Sequence, residues 1–183
     1  MKTSGSDTKG KGRIRSLTRK GTRTGKSATV AAGTPTRGAA TVCERCGAVF
    51  SRRTWRRDRK LADRTLAMAT WAVCPACEQV EGGEYFGRVL ARGAYVEANE
   101  TAIRQRIENV AARADFTQPQ HRIVSISREG SALEVLTTSQ KLAHRIAHEL
   151  KKAFGGTTSY AWSDRNGTLL ATWERAAAAP ARR

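Results

Sequence analysis

Apolar residues recur every three or four positions in two stretches of the C-terminal half of the chain. The first carries Ile103, Ile107, Val110 and Ala114, the second Leu142, Ile146, Leu150 and Phe154. Such steps keep the side chains on one face of an α-helix. Asn99 stands where the first helix would be N-capped, and Pro119 lies beyond its end. Thr138 or Ser139 can cap the second helix, and Gly155-Gly156 predicts a left-handed C-terminal cap. Residues 123–127 and 132–137 are β-branched or alternating, with Arg128-Glu129-Gly130-Ser131 as a turn between them. Residues 157–162 and 168–173 make a second hairpin about Asn166-Gly167.

The order helix, strand, strand, helix, strand, strand predicts a two-layer α-β-β-α-β-β core over residues 97–175, in which two hairpins form an antiparallel sheet covered by two helices. Upstream the rhythm is weaker. Residues 61–71 read as a short helix of poor periodicity, Gly82-Gly83 breaks the chain, and residues 84–96 read as a connector containing an extended run or short strand. Residues 1–41 hold ten basic residues between Lys2 and Arg37 against the single acid Asp7, with almost no large apolar side chain. A segment of that kind cannot offset its ordering entropy by burial, so a disordered basic arm is expected there. Residues 176–183 read as a flexible tail.

Charge narrows the range of partners. Lys and Arg number 33 against 16 Asp and Glu in 183 residues, a formal net charge of +17. Such a chain attracts polyanions, of which RNA, DNA and an anionic membrane surface are the candidates. No apolar run approaches the roughly 18 residues of a membrane-spanning helix, and no apolar core follows the basic start as in a secretory signal. A cytoplasmic location is expected, where thiols stay reduced and four cysteines point to metal or redox chemistry before disulfides.

Those cysteines fall in two pairs, Cys43-Glu44-Arg45-Cys46-Gly47 and Cys74-Pro75-Ala76-Cys77, within residues 42–83. Each Cys-x-x-Cys turn can aim two sulfurs at one ion, and two such turns complete a tetrahedral shell. Gly47 supplies the positive φ that a knuckle turn often needs. One structural zinc ion is expected on Cys43, Cys46, Cys74 and Cys77, closed by four thiolates and so without an open catalytic position. The fold class is thus α+β, a small four-cysteine zinc-ribbon-like module followed by the two-layer core. The rival reading is a thioredoxin-type redox pair at Cys74 and Cys77. It requires a helix N-terminus in a βαβ unit, which the pattern does not predict, and it leaves Cys43 and Cys46 unexplained.

Two groups of cations are candidate nucleic-acid contacts. Arg52, Arg53, Arg56, Arg57, Arg59 and Lys60 surround Trp55 inside the cysteine module. Guanidinium groups suit phosphates, while Trp55 is either a base-stacking platform or, more simply, part of the module's core. On the second helix Lys141, Arg145, Lys151 and Lys152, with His144 and His148, lie opposite Leu142. That face contacts RNA or is merely solvated. His144 and His148 lack the Glu and the third ligand of a zinc-protease site, and His121 beside Pro119 reads as structural. No Ser/His/Asp order or phosphate loop can be placed, so no enzyme and no small-molecule substrate is inferred.

With these elements placed, the chain resembles a known family. The cysteine pairs, the helix over residues 99–113 and the run Thr137-Thr138-Ser139-Gln140-Lys141-Leu142-Ala143-His144-Arg145-Ile146 carry the likeness. So do Lys151-Lys152-Ala153-Phe154-Gly155-Gly156 and the hairpin at Asp164-Arg165-Asn166-Gly167-Thr168. Together, over roughly residues 43–174, they resemble the N-terminal zinc-binding region of the large-ribosomal-subunit nuclear export adaptors and their short bacterial relatives in ribosome stability and mRNA decay. The better known members carry more cysteine pairs, enough for two zinc ions, and continue into further domains. The resemblance implies an RNA- or ribosome-associated protein, with the large subunit as partner; nuclear export does not carry over. A protein-interaction adaptor using the zinc module is the alternative.

Overall fold

Two sheets and four helices make up the part of the chain that the computed structural model describes, residues 40–57, 66–163 and 166–176. The first sheet consists of three-residue strands, β1 (Thr41–Cys43), β2 (Val49–Ser51), β3 (Thr54–Arg56) and β4 (Thr70–Ala72), in the order β3-β2-β1-β4. A short helix, α1 (Pro75–Gly82), follows. Most of the basic arm, residues 61–65 of the expected helix and all but the first residue of the C-terminal tail lie outside the described residues. Where that helix would end, Thr70–Ala72 is a strand, paired in parallel with β1.

The second sheet is built from β5 (Gly87–Arg92), β6 (Ile123–Glu129), β7 (Ala132–Thr137), β8 (Thr157–Ser163) and β9 (Thr168–Glu174). Its order is β6-β7-β5-β9-β8. Helices α2 (Ala94–Ala98), α3 (Glu100–Thr117) and α4 (Gln140–Phe154) complete the core. Both expected hairpins form, β6–β7 and β8–β9. They do not pair with each other: β5 stands between them, antiparallel to β7 and parallel to β9. The sheet is therefore mixed, not antiparallel, and the supposed connector over residues 84–96 supplies its central strand. The cause is burial on both faces. Val89, Leu90 and Ala91 are all buried, so the strand shows a short apolar run between Arg88 and Arg92 in place of alternation.

The helical periodicity is borne out in the packing. Ile103, Ile107, Val110 and Ala114 of α3 and Leu142, Ile146 and Leu150 of α4 are buried in one cluster with Val89, Leu133, Val135, Leu169, Ala171 and Trp173. Ser139 caps α4, its Oγ accepting the Leu142 N–H at 3.3 Å. Asn99 does not cap α3 in this way. The chain is already helical before it, and its Nδ2 donates backwards to the Tyr95 carbonyl at 3.0 Å. Gly155 ends α4 at φ 75°, ψ −155°, positive in φ but extended in ψ, a region open essentially to glycine alone. The Trp173 indole N–H donates to its carbonyl at 2.8 Å.

Gly87 is where the sheet meets the start of α4. A Cβ there would lie 2.5 Å from Thr137 Oγ1, 2.6 Å from Ala143 Cβ and 2.8 Å from the Ser139 carbonyl. The first two are themselves fixed, since Thr137 Oγ1 donates to the Ser139 carbonyl at 2.8 Å with the Gly87 carbonyl 3.2 Å away, and Ala143 is buried. Gly87→Ala should therefore cost about 1–3 kcal/mol by overpacking, seen as a lower urea midpoint at unchanged slope.

Candidate metal centre and cationic surfaces

Four sulfurs converge because two turns are set side by side by the parallel pairing of β1 and β4. Cys43 ends β1, and its turn closes with Gly47 N–H donating to the Cys43 carbonyl at 2.8 Å and Cys43 N–H to the Ala48 carbonyl at 2.7 Å. Gly47 takes φ 67°, as the knuckle requires. Across the pairing Cys43 lies opposite Ala72, and two residues later Cys74 occupies the N-cap position of α1, with Pro75 in the first turn. Cys77 then follows on that same turn. Cys43 and Cys77 sulfurs are 3.8 Å apart, those of Cys46 and Cys74 3.7 Å, and all four lie within 4.8 Å of one another. Four cysteines so placed can hold a metal ion.

Burial and hydrogen bonding shift three of the thiols, in different directions. Burial pushes the Cys77 thiol up to about 11, and burial with neighbouring sulfurs raises Cys74 further. Cys43 is also buried, but backbone N–H groups of Cys46, Cys74 and Arg45 outweigh that and bring it down to about 7. A divalent cation reverses this logic, since thiolate ligation displaces the protons that burial retains.

The cluster is tied to the α+β core by a chain of charges. Arg122, just before β6, donates from Nη1 to Cys77 Sγ at 3.0 Å, and its Nε lies 3.7 Å from Asp115 Oδ1. Asp115 Oδ2 accepts from Arg57 Nη2 at 2.6 Å, and Arg57 in turn bonds the Cys46 carbonyl. Sequence reasoning missed Arg122 and Asp115. Neither belongs to a motif, and both are brought in from positions far along the chain.

The expectation that Cys74 would not sit at a helix N-terminus is corrected by α1. The βαβ unit is nonetheless absent, because β4 and β5 belong to different sheets. The signal was present in the sequence: Pro at the first helical position after a break in pattern is a helix start.

The cationic candidates separate by environment. Arg52 and Arg53 form the two-residue turn between β2 and β3, exposed, with φ 50° and 65°. Arg56 is exposed on β3, whereas Arg57 is half-buried in its ion pair with Asp115. Arg59 and Lys60 lie outside the described residues. Trp55 packs on the cysteine cluster and against Phe50 at 5.4 Å between ring centroids, as a core residue would. On α4, Lys141, Arg145, Lys151, Lys152, His144 and His148 are all exposed. The one acid of that helix, Glu149, is bound by Arg106 of α3 at 2.5 Å.

Two of the three histidines make side-chain contacts within the core domain. His144 stacks on Tyr160 with centroids 4.8 Å apart and planes at 25°. His121 Nδ1 lies 2.7 Å from Ser139 Oγ, and burial, with Lys141 and Arg145 nearby, holds its pKa below the ordinary imidazole value. Among the described residues the four cysteines form the metal-competent group, and no helix is long and apolar enough to cross a membrane. No protein-family model matches the chain, and no curated protein matches it either.

Proposed function

We propose that this protein is a non-enzymatic, zinc-containing RNA-binding protein that associates with the ribosome, its large subunit in the first place. The observation that carries the RNA reading is the turn at Arg52-Arg53. Two-residue hairpin turns with positive φ at both positions favour Asn-Gly, and a side chain with a Cβ is strained there. Here both places are taken by arginine, exposed at the tip of the module. Backbone strain kept at a surface is an indication of function, and two guanidinium groups held outward suit phosphates. The cationic face of α4 and the net charge of +17 support the same reading. The large subunit as partner rests on the family resemblance.

Zinc is the metal that the donor set favours. Four thiolates about 2.3 Å from a central ion stand about 3.8 Å apart at tetrahedral angles; two of the sulfur pairs are at 3.8 and 3.7 Å, and all four sulfurs lie within 4.8 Å of one another. All-thiolate tetrahedral sites select zinc over the harder divalent ions. Cys43, Cys46, Cys74 and Cys77 would hold it with no position left for substrate. Its part is to join β1, β4 and α1 and so to position the Arg52-Arg53 tip. Against a redox enzyme, Cys74 is buried, and all four sulfurs converge on one point where a redox pair needs only two.

Native lysate sedimented through sucrose at low and high salt tests the proposal. The chain should travel with the large subunit at low salt and leave it at high salt, because each phosphate contact releases counterions. Migration at the top of the gradient at both salts, with no salt-dependent binding of purified ribosomal RNA, would overturn it.

A further inference from the structure

Strand β8 carries a feature that neither cationic cluster accounts for. Tyr160 and Trp162 are two residues apart and project to the same side of the sheet. Their partners across the ladder are Ala171 and Leu169, both buried beneath the helices. The two rings therefore lie on the helix-bearing side, but β8 is an outer strand and α4 leaves them open. Tyr160 is 37% exposed and Trp162 61% exposed. The residues alternating with them, Ser159, Ala161 and Ser163, are small. The pattern thus places the largest apolar side chains of the strand at a solvent-facing edge.

The flank of α4 that faces these rings is cationic. His144 stacks on Tyr160, which sets the register of helix against strand. His148 and Lys151 follow His144 by four and seven positions, so they extend the same flank, and Lys141 lies one turn before it. All are exposed. No acid occurs in β8, and Glu149 is held by Arg106 on the side of α4 towards α3.

We infer that the wall formed by β8 and α4 is a stacking platform for unpaired bases of single-stranded RNA, with Tyr160 and Trp162 as the ring surfaces and Lys141, His148 and Lys151 beside them for the phosphates. This deepens the RNA reading above and rests on it. Alternate residues on a strand stand about 6.8 Å apart, and a stacked base is about 3.4 Å thick, so each ring has room for its own base. Rings with cations alongside favour unpaired strands over duplex, whose bases are already stacked. The His144–Tyr160 pair is a near-parallel stack already in place, and a base would extend that stack.

The test uses the full chain and two labelled probes, a twelve-nucleotide single-stranded RNA and a duplex of the same length, with affinities taken by fluorescence anisotropy. Trp162→Ala should weaken single-strand binding between about fivefold and a hundredfold, with little change for duplex and an unchanged salt slope. Trp162→Phe should restore most of the loss, and Tyr160→Ala should act in the same direction as Trp162→Ala. An unchanged melting temperature for Trp162→Ala would show that the fold is intact. If wild type binds both RNAs and the aromatic variants bind as wild type does, the platform is wrong and the RNA reading survives. Equal losses on single strand and duplex also overturn it. If wild type binds neither probe, the RNA reading itself fails.

Discussion

With zinc bound as proposed, replacing Cys74 with serine will abolish the metal and unfold the cysteine module while the α+β core stays folded. The module has little else to hold it. Its buried cluster consists of Cys43, Cys74 and Cys77 with Ala48 and Ala76, Trp55 and Val73 packing at its margin, and beyond it the strands bury little more than Val42 and Val49. Its strands are three residues each, too short to be stable unaided. Structural zinc contributes an apparent 10–16 kcal/mol in small domains, roughly as much as the whole stability of an ordinary one. Metal analysis should fall from one ion per chain to none. The near-UV circular dichroism from Trp55 should collapse, while the thermal transition of the core around Trp173 persists. A full near-UV signal in the metal-free variant would show that the apolar contacts suffice and that the metal is dispensable for folding.

The double substitution Arg52→Asn with Arg53→Gly should stabilise the protein and weaken it as an RNA binder. Each arginine at positive φ carries a cost of about 1–2 kcal/mol that glycine, and largely asparagine, escapes. The module should therefore gain about 1–3 kcal/mol, visible as greater resistance to thermal unfolding. Removing two guanidinium groups should lower RNA affinity and reduce the salt slope by about one to two contacts. A gain in stability with a loss of binding cannot be explained by misfolding, which gives this variant its value. Unchanged RNA affinity would remove the turn from the interface and with it the main support for the RNA reading.

What could be read from the sequence was what repeats locally. The faces of α3 and α4 were legible because Ile103 to Ala114 and Leu142 to Leu150 recur at helical spacing. Both hairpins were legible from Gly130 and from Asn166-Gly167. The four-cysteine cluster was legible because paired spacing constrains geometry. By contrast β5 is buried on both faces and shows no alternation, and its parallel pairing with β9 leaves no local trace. The three-residue strands of the module are shorter than any period that could reveal them. The ties between module and core, Arg57 to Asp115 and Arg122 to Cys77, join residues 58 and 45 positions apart. Nothing local marks them.

The central place of β5 also bears on the order of folding. Its parallel partner β9 lies about eighty residues later in the chain, with α2, α3, β6, β7, α4 and β8 between them. During synthesis β5 can pair with β7 early, but one of its edges stays open until residue 174 has been made. Such long-range closure slows folding, because the loop entropy is lost before the contacts are gained. The apolar Val89-Leu90-Ala91 edge is exposed for that interval, the time at which the nascent chain is most open to strand-to-strand aggregation.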